Sequence, residues 1–119
     1  MGINLNIDDI DRLEKILNIK LYFEGPSDWS VRELINIINE YLLERLPVIL
    51  NNVLEPYGVE ASLLNMEDAC KVLGNIECKD KIVVSLHDTS TERVLAYAVY
   101  RYKLGDNTFE FQLEKLVQA

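Results

Sequence analysis

The last third of the chain alternates apolar and polar positions. From Lys81 to Asp88, Ile82, Val84 and Leu86 interleave with Val83, Ser85 and His87, the two-residue period of a β-strand. Residues 93–104 set Val94, Ala96, Ala98, Tyr100 and Tyr102 against Leu95, Tyr97, Val99, Arg101 and Lys103. Residues 107–114 set Phe109, Phe111 and Leu113 against Thr108, Glu110, Gln112 and Glu114. Gly105-Asp106 suits a two-residue hairpin turn, which would place Lys103 opposite Thr108, Arg101 opposite Glu110 and Tyr100 opposite Phe111. That register gathers the aromatics on one face and pairs unlike charges on the other. Ala96 and Ala98 on the aromatic face leave room for a helix to lie close.

Earlier in the chain the period lengthens. Ile7, Ile10, Leu13 and Leu17 are spaced for one face of a helix over 7–17, with Asn6 as its cap. Asp8, Asp9 and Asp11 fall in its first turn, where the positive end of the helix dipole favours carboxylates. "KLYFE" reads as a short strand stopped by Gly25-Pro26. In "WSVREL", Ser30 and Glu33 form a capping box, with Trp29 stapling onto Leu34. The helix that follows carries Asn36, Glu40, Glu44, Pro47 and Asn51 on one narrow stripe, and the rest of its circumference to Leu54 is mostly aliphatic. Such a wide apolar arc predicts burial on more than one side. Pro47 is expected to kink the helix or split it. A short helix in "NMEDACKVLG" starts at Asn65 and stops at Gly74. The pattern therefore predicts one α+β domain over residues 1–119. It has a mainly antiparallel sheet of three or four strands with helices packed on one face, in the order α-β-α-α-β-β-β.

Composition narrows the partners. A formal charge of −8 makes a polyanionic partner costly unless a local basic patch exists, so neither nucleic acid nor an anionic membrane surface is expected. The same charge suits a basic protein partner. No apolar run reaches the roughly 18 residues of a membrane span. The opening residues lack the basic and apolar regions of a secretory signal, and Asn6 stands where a myristoylation signal needs Ser or Thr. A cytoplasmic address is the expectation. Cys70 and Cys78 are the two cysteines, too few with one histidine for a zinc site. They would be free thiols in a mesophile cytoplasm, and bridged inside a cell only in a hyperthermophile.

The chemistry is sparse. "HDTST", residues 87–91, places the single histidine beside an aspartate and three hydroxyls. Neighbouring strand residues point to opposite faces, so His87 and Asp88 would not naturally pair, and Asp, Ser and Thr are ordinary hairpin-loop residues. No phosphate-binding glycine motif, metal-ligand spacing or cofactor signature is present. The outer sheet face remains, with Val83, Leu95, Tyr97 and Val99 at its centre and His87 and Arg101 on its rim. An apolar centre inside a polar rim has the anatomy of a protein-binding surface.

Three functions follow as expectations. The first is a small acidic, non-enzymatic binding or regulatory module, of the inhibitor, immunity-protein or viral-antagonist kind, meeting a protein partner through that face. The second is a structural homo-oligomer, a virion or assembly component, at simplest a homodimer, joined through the apolar 34–54 helix. The third is a small enzyme using His87 with Tyr97 or Asp88.

Overall fold

A computed structural model describes residues 7–25, 31–105 and 107–119. The expected caps and turn at Asn6, Trp29, Ser30 and Asp106 lie outside the described residues. Helix α1 spans Ile7–Leu17 and buries Leu13 and Leu17. Strand β1 follows at Lys20–Glu24. Helix α2, Val31–Ile37, runs into a π-helical segment, Ile38–Leu43, and the chain then turns at Glu44-Arg45. Helix α3 spans Leu46–Leu54. The long helix is therefore split, and the break falls just before Pro47. That position lies in the first turn of α3, where backbone N–H groups have no helical partner and proline loses nothing. A 3-10 turn at Glu55–Tyr57 ends on Gly58, whose φ of 68° is the left-handed conformation that glycine adopts freely.

Next comes strand β2, Val59–Leu63, which the sequence reading does not anticipate. Its signal was present: Val59, Ala61 and Leu63 alternate with Glu60 and Ser62. Helix α4 spans Met66–Leu73, and the Asn65 side chain accepts a 2.8 Å hydrogen bond from the Asp68 amide, as expected of its cap. Strands β3, Lys81–Asp88, β4, Val94–Leu104, and β5, Thr108–Gln118, complete the chain.

All five strands join one antiparallel sheet in the order β1-β5-β4-β3-β2, rather than the three or four expected. Strand β2 lies at one edge, and α3 satisfies part of that edge. The Asn51 side-chain oxygen accepts from the Ala61 amide at 2.6 Å, and its nitrogen donates to the Ala61 carbonyl at 3.3 Å. One side-chain amide thus replaces a neighbouring strand. Asn51→Ala is expected to cost about 1–3 kcal/mol, because it leaves a half-buried peptide group unpaired. A urea titration measures the loss, and an unchanged midpoint would show that the β2 edge holds without α3.

The helices lie on both faces, which corrects the expected one-sided arrangement. Leu13 and Leu17 of α1, with Leu46, Leu50 and Leu54 of α3, pack onto Ile82, Val84, Leu86, Ala96, Ala98, Tyr100, Phe109 and Phe111. On the opposite face Ala69 of α4 closes over Val83 and Val99, with Leu64, Leu73, Tyr97 and Val117 around them. Strand β3, next to the edge, is consequently buried on both sides, and its alternation marks two cores rather than a core and a solvent face.

The β4–β5 hairpin keeps its predicted faces but not its predicted register. Leu104 pairs with Phe109 and the Gly105 amide donates to the Thr108 carbonyl, so Gly105 closes the end of β4 instead of opening a two-residue turn. Every partner moves by two residues: Lys103 faces Glu110, Tyr102 faces Phe111, and Arg101 faces Gln112. A shift of two preserves which side each residue faces. Two features favour this register. A side chain at Gly105 would collide with Thr108 Oγ1 and oblige that hydroxyl to rotate away, so glycine suits the strand end. Asn107 is tied to Gly25, its carbonyl accepting and its side-chain nitrogen donating, both at 2.8 Å.

Candidate functional site

The expected binding face is not an open surface. Val83 is 1% exposed and Val99 is not exposed at all, because α4 lies over both. Leu95 belongs to a bulge: Leu86 pairs with Ala96 and His87 with Val94, so Leu95 is the extra residue, and it packs against the α1–α3 core. Tyr97 is half-buried beside α4. His87 is half-buried too, opposite Glu60, with Nε2 3.5 Å from the Glu60 carboxylate. Of the six residues, Arg101 alone is exposed. The structure therefore disperses the patch. The cover is α4 itself, placed there by the short loop from β2.

The loop after His87 behaves as its composition predicts. The Asp88 carboxylate accepts from the Ser90 amide at 2.8 Å, Thr91 Oγ1 from the Arg93 amide, and Thr89 Oγ1 donates to the Gly58 carbonyl. These bonds close the turn and tie it to the start of β2.

Exposed large apolar residues gather on α3, while Leu21, Ile35, Met66 and Ile76 are exposed elsewhere. Leu46, Leu50 and Leu54 face the core every fourth residue, and Asn51 faces β2. The other side of the same helix presents Val48 at 59% exposure, Ile49 at 50% and Val53 at 43%, and the following turn adds Tyr57 at 41%. Glu44 and Glu55 are exposed at its two ends. The wide apolar arc seen in the sequence is thus half core and half surface. A cavity of about 400 Å³ also opens between the π-helical segment and the sheet, with Ile38, Leu43, Leu63, Ile82 and Tyr102 among its lining residues. Its titratable groups are Lys81 and Tyr102. The Lys81 ammonium is 2.7 Å from Glu114, and burial, aided by Asp80, pushes the Tyr102 phenol above its ordinary pKa. The same Lys81 bond holds the Glu114 carboxyl below the ordinary carboxylate range. Among the described residues no group of three His, Cys, Asp or Glu side chains is placed to hold a metal, and no helix is long and apolar enough to cross a membrane.

Cys70 of α4 and Cys78 of the loop before β3 form a disulfide. It staples α4 to the strand whose outer face that helix covers. Closing a loop of this length is worth about 2–3 kcal/mol through the unfolded chain. Reduction is expected to lower stability by that amount and to loosen α4 from Val83 and Val99. Thermal melts with and without reductant, repeated on Cys70→Ser, measure it. Equal melting temperatures would mean the bridge restrains nothing.

Comparison with protein-family models, with curated proteins and with solved structures finds no match for this chain.

Proposed function

We propose that this chain is a non-enzymatic protein-binding module that meets its partner through the outer side of α3. The observation that carries the reading is the exposed stripe of Val48, Ile49, Val53 and Tyr57 on a helix whose opposite side is already committed to the core. Contiguous exposed aliphatic residues on one helix face are what helix-in-groove recognition uses. Glu44 and Glu55 beside the stripe, and the overall charge of −8, favour a partner whose groove is rimmed by Lys or Arg.

Self-association through the same stripe is the second reading. It is favoured by the aliphatic character of Val48, Ile49 and Val53, since permanent homodimer interfaces resemble a protein core. A cytoplasmic address is part of the first reading, and with the Cys70–Cys78 bridge it implies a disulfide-tolerant cytosol such as a hyperthermophile's.

The test is a double variant, Ile49→Lys with Val53→Lys, which leaves the core untouched. Light scattering at two concentrations first separates monomer from oligomer. A wild-type oligomer that the variant converts to monomer selects self-association. A wild-type monomer leads to affinity capture, in which one identified protein, retained by wild type and lost by the variant, supports partner binding. Equal retention by both removes α3 as the binding surface.

A further inference from the structure

The observed register takes Arg101 from the expected place opposite Glu110 and sets it in a row with other cations. On the sheet's outer face Lys20 of β1 faces Gln112 of β5, Gln112 faces Arg101 of β4, and Arg101 faces Lys81 of β3. One row across four strands thus holds three cations and an amide. With strands about 4.8 Å apart, it runs roughly 14 Å. The next row sets Tyr22, Glu110 and Lys103 side by side on the same face.

Like charges directly opposite one another destabilise a sheet, so Lys81 against Arg101 carries a cost. A bulge in β5 partly offsets it by letting Glu114 reach past β4 to the Lys81 ammonium. Lys20, Arg101, Lys103 and neighbouring Lys79 are all exposed and have no ion-pair partner within 4.0 Å among the described residues. Beside them lies a concavity of about 470 Å³, lined by Lys79, Arg101, Lys103 and Gln112 as well as by Asp80 and Glu110. Three cations outside any ion pair among the described residues therefore line it against two carboxylates, and Lys20 and Glu24 lie on the same face, in a chain whose net charge is −8. Tyr22, on the same face as Lys20, is 62% exposed.

We infer that this strip of the outer sheet face binds single-stranded nucleic acid, with phosphates on Lys20, Arg101 and Lys103 and a base stacked on Tyr22. A sheet face with cations and an exposed aromatic meets the two requirements of single-strand binding, backbone neutralisation and a stacking platform. An acidic protein segment offers carboxylates to the same cations but nothing for Tyr22. The acidic remainder of the surface confines the strand to this strip. The strip is separate from the outer side of α3, and the inference stands or falls independently of the proposed partner binding.

The experiment is fluorescence anisotropy of the full chain with a dye-labelled oligothymidine, titrated from about 20 to about 200 mM salt. Three phosphate contacts predict that log affinity falls with log salt at a slope of about −2. Arg101→Gln is expected to flatten that slope by about 0.7. Tyr22→Ala is expected to weaken binding about fivefold or more with the slope unchanged, as loss of one stacked base requires. Lys20→Gln, on the edge strand, repeats the slope test should Arg101→Gln melt early. The inference is overturned by an absence of binding at the lowest salt. It is overturned equally if neither lysine nor arginine variant changes the slope. A polyglutamate peptide that binds as tightly as the oligonucleotide, with Tyr22→Ala neutral, assigns the strip to an acidic protein segment instead.

Discussion

Val99→Glu is expected to destabilise the protein strongly rather than to remove a binding contact. Val99 has no exposed surface: Ala69 of α4 lies over it, Val83 flanks it on β3, and Lys115 stands opposite on β5. A carboxylate there either stays ionised without adequate solvation or takes up a proton, and both are costly. Lys115 is the nearest source of rescue, but its ammonium lies 3.5 Å from Glu77 near the surface. The expected loss is on the order of 4 kcal/mol, a large part of the roughly 5–15 kcal/mol that holds a domain together. A urea titration showing a loss of less than about 1 kcal/mol would mean that α4 does not bind its face of the sheet tightly. Had the outer face been open, the same substitution would have left stability untouched.

Tyr100→Ala is the other large effect, and Tyr100→Phe dissects it. The ring lies in the main core, stacked on Phe111 with centroids 4.8 Å apart. Its hydroxyl donates a 2.9 Å hydrogen bond to the carbonyl of Leu17, the last residue of α1. Tyr100 thus fills the core and gives the last carbonyl of α1 a second bond beside the one it accepts from the Ile19 amide at 2.7 Å. Removing the ring is expected to cost about 3–5 kcal/mol. Removing the hydroxyl alone leaves the Leu17 carbonyl with one bond fewer and costs about 0.5–1.5 kcal/mol. Denaturant titration of both variants measures the split, and a Phe variant as stable as wild type would show that α1 is held by packing alone.

The pH dependence of that difference has a definite sign. Burial raises the Tyr100 phenol above the ordinary tyrosine value of 10.0. The folded state therefore favours the neutral donor, whose contribution is complete below that pH and declines as pH rises beyond it. Wild type loses stability in strong alkali through this group, and Tyr100→Phe does not. The two curves converge there, which separates the buried hydroxyl from the protein's other titrations.

Both faces of the sheet's centre are occupied by packing, and the two surfaces proposed above for binding, the outer side of α3 and the charged end of the outer sheet face, lie outside it. Candidate positions buried between layers are stability positions, and substitutions there report folding first.

The sequence by itself determined the elements and their faces. The helical spacing over 7–17, the Asn65 and Gly74 boundaries of α4, and the two-residue period of β3 and β4 are local properties, decided by the conformation of neighbouring residues. The α+β class follows from them. Tertiary structure decided three further things. It placed α4 on the second face, because alternation tells which side a residue takes but not what covers that side. It moved the hairpin by two residues, because Asn107 is held by Gly25, a residue distant in the chain, and a two-residue slip leaves the hydrophobic pattern unchanged. It extended β5 past Glu114 through a bulge that places Leu113 and Leu116 both toward the core, a spacing of three that interrupts the strand period. Each of these turns on contacts between residues far apart in the chain. Such contacts are made only when the layers assemble, and no local pattern records them.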